Sequence, residues 1–246
     1  MNTQVIAFAN HKGGVGKTAS VANVSAILAS RGKKVLMIDL DAQANLTLSF
    51  LSEIPGRTIY NAMIDRKDMP VYSIKENLDI TPSSLEMIDI DHKISPRRIE
   101  YILQELVKKY RNKYDYIILD CPPSLGLLTI NALTIADSLC VPMIADKMSM
   151  IGVDMLREFC ANDMQELNPG LHIDHIFITQ YLKNNLAKSV EEQMRADYGC
   201  TVAQTIIRLN TAIKEAGVEL KDIVTYSPDS NGSQDYQALV KELFNV

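Results

Sequence analysis

The chain alternates short apolar runs with longer segments whose apolar residues recur at helical spacing. Runs without polar alternation are typical of parallel strands covered on both faces of a sheet. The runs that predict such strands are residues 5–9, 35–38, 78–81, 117–119, 138–142, 173–179 and 202–207. We therefore expect a mostly parallel sheet at the centre of the protein.

Helical segments are predicted between and after these strands, at residues 19–30, 99–110, 151–167 and 230–244. In residues 99–110 the apolar positions follow the i, i+3, i+4, i+7 pattern of an amphipathic helix. The sequence of residues 46–76 indicates only short helices and loops. Although the length also allows two small domains, the unbroken alternation favours one doubly wound α/β domain over residues 1–246, with helices on both faces.

Composition and charge narrow the class of protein. The 246 residues carry a formal net charge of −5, which argues against a strongly basic nucleic-acid binder but leaves room for local basic patches. No apolar run approaches the roughly 20 residues of a membrane span, so we expect a cytoplasmic protein. The four cysteines are widely spaced, which suggests neither a zinc site nor a disulfide framework.

The most informative stretch is residues 10–18, N-H-K-G-G-V-G-K-T, between the first predicted strand and the first helix. Glycines at positions 13, 14 and 16 allow backbone N–H groups to point at an anion, and a helix N-terminus adds positive charge. Lys17 is placed to reach the β- and γ-phosphates, and Thr18 to bind Mg²⁺. A glycine-rich turn that binds nothing would not need two lysines and a threonine in this context.

Acidic residues follow two other predicted strands. Asp39 and Asp41 come after residues 35–38, and Asp120 follows residues 117–119. Ligands collect at the carboxyl edge of a parallel sheet, so these acids should lie beside the phosphate loop. Asp120 is expected to serve Mg²⁺ through water rather than merely to cap the next turn. Polar residues at the ends of the later strands, Thr179 and Gln180 and the stretch from Arg208 to Asn210, are candidates for base and ribose contacts.

Four stretches together resemble the ParA/Soj partition ATPases of the deviant Walker A group, to which MinD also belongs. They are residues 12–18, 39–43, 117–126 and 227–236, and the resemblance covers nearly the whole chain. It implies a P-loop fold, ATP and Mg²⁺ as ligands, and hydrolysis that is slow without a partner. The loop departs from the general phosphate-loop motif, since His11 replaces a glycine and a second lysine, Lys12, follows.

The resemblance also implies roles for individual residues. Lys17 would hold the phosphates within its own subunit, while Lys12 would reach across a nucleotide-sandwich homodimer to the partner's ATP. Asp41 would orient or activate the attacking water, and Asp39 would support the Mg²⁺ shell. The nucleotide contacts would come from Lys12, Gly13, Gly14, Val15, Gly16, Lys17, Thr18 and Ala19, with Thr18 and Asp120 serving the metal directly and through water.

Some positions depart from the family pattern. Ala19 stands where a second threonine is common, so it would contact the α-phosphate region through its backbone only. Residues 179–186 follow the pattern T-M-Y-D-x-R-T-x-L loosely, and residues 207–208 keep the arginine of an I-P-R motif without its proline. The tail at residues 239–246 is too short and insufficiently basic for a MinD-like membrane helix. We also expect no DNA-reading domain before residue 10.

Two functions stay open. The first is a nucleoid-associated partition ATPase that binds DNA non-specifically in its ATP-bound dimer and is activated by a ParB-like protein. Its DNA-facing residues would be Arg208, Lys214, Lys183 and Lys188. The second is an ATP-switched positioning or scaffold ATPase for a protein cargo, with weak or absent DNA binding, which the net charge of −5 keeps open.

Overall fold

The structure is a computed structural model that describes residues 3–94 and 97–246. Its strands are β1 (Gln4–Phe8), β2 (Val35–Asp39), β3 (Tyr72–Lys75), β4 (Leu78–Thr81), β5 (Tyr116–Asp120), β6 (Ser138–Ile144) and β7 (Ile173–Thr179). Its α-helices are α1 (Lys17–Ser30), α2 (Asn45–Leu48), α3 (Ile59–Asp65), α4 (Ile90–Lys93), α5 (Ile102–Val107), α6 (Leu127–Ile135), α7 (Lys147–Asn162), α8 (Asn185–Tyr198), α9 (Thr211–Val218), α10 (Ile223–Tyr226) and α11 (Asn231–Phe244).

The strands form one seven-stranded sheet in the order β3-β4-β2-β5-β1-β6-β7. All neighbouring pairs in it are parallel except β3 and β4, which form an antiparallel edge. From β1 the chain passes through α1 to one side of the sheet, whereas β6 and β7 lie on the other side. The end of β1 is therefore a topological switch point, where ligands of such sheets bind.

Helices cover both faces of the sheet, which confirms the predicted doubly wound fold. Side chains of β1 alternate between two hydrophobic cores: Val5 and Ala7 pack on the face of α3 and α5 to α8, and Ile6 and Phe8 on the face of α1, α9 and α11. Residues of both sets are fully buried. Burial on both faces explains why the strands are continuous apolar runs.

One predicted strand is wrong. Residues 202–207 run beside β7 but make only isolated bridges, Ile176 with Val202 and, just beyond them, Tyr181 with Arg208. The reason lies in α11, because the Glu242 carboxylate accepts the backbone N–H groups of Gln204 and Thr205 at 2.6 and 2.8 Å. The amides of Ala203 and Ile207 still donate to carbonyl oxygens of β7, but the Thr205 amide between them is diverted to Glu242, and the ladder is interrupted.

Helix boundaries also differ from the prediction. The segment predicted as a helix over 99–110 begins with a 3₁₀ turn, Ile99–Tyr101, and its α-helical part ends at Val107. The helix predicted over 151–167 begins four residues earlier, at Lys147, because Asp146 caps it by accepting the N–H of Ser149 at 2.8 Å. Among the described residues, no helix has the length and apolar character that crossing a membrane requires.

Candidate nucleotide-binding site

The glycine-rich loop connects β1 to α1 in a conformation that leaves its N–H groups available. Gly14 and Gly16 have φ of 74° and 83°, in the left-handed region that favours glycine. Gly16 is the N-cap of α1, and no side chain caps this helix end. The first N–H groups of α1 therefore donate to no capping side chain and remain available to an anion, which is the usual arrangement of an anion site.

Lys17 is held over this loop by backbone carbonyl groups. Its ammonium donates to the carbonyl oxygens of Asn10 and Lys12, both at 3.2 Å, and the residue is buried. Burial lowers the pKa of Lys17, while the nearby Asp120 carboxylate acts in the opposite direction. An ammonium has three donors, so one N–H is left to point at a phosphate oxygen.

Asp39 and Asp120 are neighbours at the carboxyl edge of the sheet, as predicted, because they are register partners of β2 and β5. Both side chains are buried. The two carboxylate oxygens of Asp120 accept no well-formed hydrogen bond within the described residues, although the Thr18 hydroxyl lies near enough to lower the pKa of Asp120. Burial is the main cause that raises the pKa of Asp120 well above its usual range, and the negative charge of Asp39 is the second. An orphaned, buried carboxylate of this kind fits a bound cation, which would compensate its charge.

Asp39 differs from Asp120 in that its carboxylate is already bonded by protein. One oxygen accepts the N–H of Asp41 at 3.1 Å, and the other accepts the N–H and the hydroxyl of Thr47 at 2.9 and 2.7 Å. Burial raises the pKa of Asp39 to about 6, against the effect of these hydrogen bonds. The predicted Mg²⁺-shell role of Asp39 stays a prediction. The structure adds that Asp39 links the backbone of Asp41 to Thr47, which the sequence did not indicate.

A cavity of about 740 Å³ opens in front of the loop. The predicted site residues that line it are Gly13, Gly14, Gly16, Lys17, Thr18, Ala19, Asp41, Gln180, Arg208 and Lys214. Val15, Asp39 and Asp120 lie behind this surface and are buried. Thr179 and Asn210, also candidates from the sequence, line it as well, whereas sequence reasoning missed Asn45, Ile213 and Tyr236. Of these, Tyr236 falls within residues 227–236, a stretch that carries the resemblance.

Gln180 and Arg208 reach the cavity but are already engaged. The Gln180 amide donates to the carbonyl oxygen of Gly14 at 2.7 Å and so braces the glycine-rich loop. The Arg208 guanidinium donates to both carboxylate oxygens of Asp235 on α11, with shortest distances of 2.6 and 2.9 Å. Their predicted base and ribose contacts stay predictions. The DNA-facing role of Arg208 also stays a prediction, and a substitution of Arg208 would break this ion pair as well.

The other two predicted DNA-facing residues lie outside the cavity. Lys183 follows β7, and Lys188 is in the first turns of α8; both are exposed. Lys188 is 3.7 Å from Glu192, a surface pair of small energetic weight. These two lysines are therefore available to an external partner in this structure.

Lys12 does not extend freely into solvent, as a lone surface lysine would. Its ammonium lies 2.5 Å from a carboxylate oxygen of Asp146 and 3.3 Å from the hydroxyl of Ser149, both at the start of α7. The helix approaches the loop closely at Gly152, where a Cβ would lie 3.0 Å from the side-chain oxygen of Asn10. Asn10 in turn accepts the N–H of Lys12 at 2.9 Å. Helix α7 thus holds Lys12 within its own subunit.

Comparisons with known proteins agree with this geometry. A family model described as an AAA domain matches residues 3–173. The sporulation initiation inhibitor protein Soj of Bacillus subtilis is 35% identical, covering 98% of each chain. A solved structure described as a plasmid partition protein from Borrelia burgdorferi, with AMPPNP bound, is 25% identical with a TM-score of 0.84, covering 99% of both chains.

A second solved structure is that of cobyrinic acid a,c-diamide synthase from Mycobacterium smegmatis with an ATP analogue and magnesium bound. It is 26% identical to this chain, with a TM-score of 0.83, and the match covers 99% of this chain and 95% of that one. The same fold therefore serves proteins of different function, so the family follows from the full-length similarity to Soj together with the glycine-rich loop. This chain belongs to the ParA/Soj family of P-loop ATPases.

Proposed function

We propose that residues 1–246 act as one ATPase domain whose ATP-bound form is a homodimer that binds DNA non-specifically and partitions a chromosome, plasmid or mobile element. The observation that carries the ATPase part is the pair of orphaned Asp120 oxygens beside the buried Lys17, directly behind a glycine-rich loop. The partition part is supported by relatives such as the Borrelia burgdorferi plasmid partition protein.

In this proposal the loop amides and Lys17 bind the ATP phosphates, and Thr18 and Asp120 hold Mg²⁺ directly and through water. When bound, Mg²⁺ neutralises phosphate charge. Asp41, which lines the cavity, orients the attacking water. Lys12 of one subunit stabilises the transition-state charge at the ATP of the other. Hydrolysis is slow until a ParB-like protein completes the arrangement, a common design in switch ATPases.

The contact between Lys12 and Asp146 opposes this trans role, because Lys12 must leave Asp146 to reach a second subunit. We expect Asp146→Asn to tighten ATP-dependent dimerisation by up to about fivefold, since a partly exposed ion pair contributes up to about 1 kcal/mol. Asparagine keeps the cap on the Ser149 N–H. Sedimentation equilibrium with a non-hydrolysable ATP analogue measures the effect.

The matched control is Asp68→Asn, which breaks an exposed ion pair with Lys109 away from the loop. That variant should dimerise like the wild type. Weaker dimerisation of Asp146→Asn, or no change beyond the control, would mean that Asp146 does not restrain Lys12 in the way proposed.

DNA binding is tested by measuring affinity for random-sequence duplex DNA with ATP, with ADP and without nucleotide, across a salt series. The proposal expects binding only with ATP, with no sequence preference and a steep loss as salt rises. Lys183→Glu and Lys188→Glu should each weaken this binding and leave ATP affinity unchanged, because both residues are exposed outside the cavity. Lys67→Glu, an exposed lysine after α3, serves as the control.

The alternative is a positioning ATPase that uses the same dimer switch on a protein cargo. Two observations favour it: the net charge of −5, and the ion pair of the exposed Arg208 guanidinium with Asp235, which offsets the charge of this arginine. Absence of DNA binding with ATP at low salt would support this alternative and exclude the partition role as stated.

A further inference from the structure

Asp41 is positioned by a chain of hydrogen bonds that starts outside the phosphate loop. The first member is the buried Asp39 carboxylate at the end of β2, which accepts the N–H of Asp41 at 3.1 Å with one oxygen. Its other oxygen accepts both the N–H and the hydroxyl of Thr47, at 2.9 and 2.7 Å. A single side chain thus ties the residue that lines the cavity to helix α2.

The Thr47 hydroxyl is itself oriented by the neighbouring strand. Its oxygen accepts the N–H of Ser83, just after β4, at 2.9 Å. Because the oxygen is the acceptor in that bond, the hydroxyl proton is directed at Asp39. Thr47 is fully buried, so water does not substitute readily for either bond.

The backbone between the two ends has little freedom. The Asp41 carboxylate accepts the N–H of Gln43 at 2.9 Å. The backbone carbonyl oxygen of Asp41 accepts the N–H of Ala44, also at 2.9 Å. Ala44 has φ of 51°, in the left-handed region. A turn closed in this way transmits a displacement of Thr47 to Asp41 instead of absorbing it.

We propose that Thr47 is a positioning residue for hydrolysis, acting on Asp41 through Asp39. The inference rests on the proposed function in so far as Asp41 serves the attacking water. Thr47 is not among the residues that line the cavity, and it contacts no atom of the glycine-rich loop in the hydrogen bonds that define its environment. Its effect should therefore fall on turnover and not on ATP affinity.

The test compares Thr47→Val, which keeps the shape and removes the hydroxyl, with Thr47→Ser, which keeps the hydroxyl. Misplacing a catalytic group by about 1 Å costs about 100-fold in rate, so we expect Thr47→Val to lower kcat by about 10- to 100-fold. ATP affinity, measured with a fluorescent analogue, should stay within about threefold. Thr47→Ser should retain near-normal kcat. If the valine variant does not fold, Thr47→Ala is read in its place.

The route through Asp41 is checked by a double-mutant cycle. In an Asp41→Ala background, Thr47→Val should cause no further loss of turnover. A full additional loss there, normal kcat in Thr47→Val, or a loss of ATP affinity equal to the loss of kcat would each overturn the inference. If Asp41→Ala alone leaves turnover normal, the proposed role of Asp41 fails. If Asp41→Ala abolishes turnover but Thr47→Val leaves it normal, the role of Asp41 stands and only the role of Thr47 fails.

Discussion

Replacing Lys12 with alanine should lower ATP turnover by about 10³-fold, the smaller end of the effect of an arginine finger supplied in trans. ATP affinity should change little, because Lys17 and the loop amides hold the phosphates within the same subunit in this account. The ammonium of Lys17 is fixed independently by the carbonyl groups of Asn10 and Lys12, which the substitution retains as backbone. Single-turnover hydrolysis and equilibrium binding of a fluorescent ATP analogue measure the two quantities separately.

The control is Lys67→Ala, which removes an exposed lysine of the same size and charge away from the site. It should hydrolyse ATP like the wild type. Normal turnover in Lys12→Ala would remove the trans-lysine role, and loss of ATP affinity instead of turnover would assign Lys12 to ordinary phosphate binding in its own subunit.

Replacing Asp41 with alanine is the second substitution with a large expected effect. Turnover should fall by about 10²- to 10⁴-fold, the usual contribution of a positioned acid or base. The variant should still bind ATP and dimerise, because neither the loop amides nor Lys17 bonds to the Asp41 side chain in this structure. Its ATP-bound dimer should therefore persist longer than that of the wild type.

Chromatography of the variant with ATP and Mg²⁺, followed by nucleotide extraction, measures this persistence. Asp65→Ala removes an exposed acid at the end of α3 and should behave as the wild type. Rapid conversion of ATP to ADP by Asp41→Ala would show that the attacking water is oriented by another group.

Much of the fold could be predicted because strands that are buried on both faces of a sheet have continuous apolar sequences. Continuous apolar runs predicted β1, β2 and β5 to within a residue or two, and the strand ends then placed Asp39 beside Asp120. The segment 202–207 has the same apolar character but is not a strand. The Thr205 amide within it bonds to Glu242, a residue 37 positions further on, and no local sequence pattern indicates such a contact.

The candidate site was predictable where chemistry is local and not where it depends on distant partners. The glycines of the loop indicated its conformation directly, because positive φ angles such as those of Gly14 and Gly16 favour glycine. The partner of Lys12 lies 134 positions away, and that of Arg208 lies 27 positions away. The first contact arises because β6, which leads into α7, pairs with β1, and the second because α11 packs on the sheet face beside α1. Each side chain is therefore ion-paired although it keeps partial exposure to solvent.

Mixing two inactive variants and measuring whether activity returns tests most directly whether each ATP site needs a second copy of the chain. In a mixed dimer, the subunit with Lys12→Ala keeps Asp41 and receives Lys12 from its partner, while the other site lacks both groups. With equal amounts of Lys12→Ala and Asp41→Ala and random pairing, turnover should reach about a quarter of the wild-type value. Turnover no greater than the sum of the separate variants would contradict the shared site.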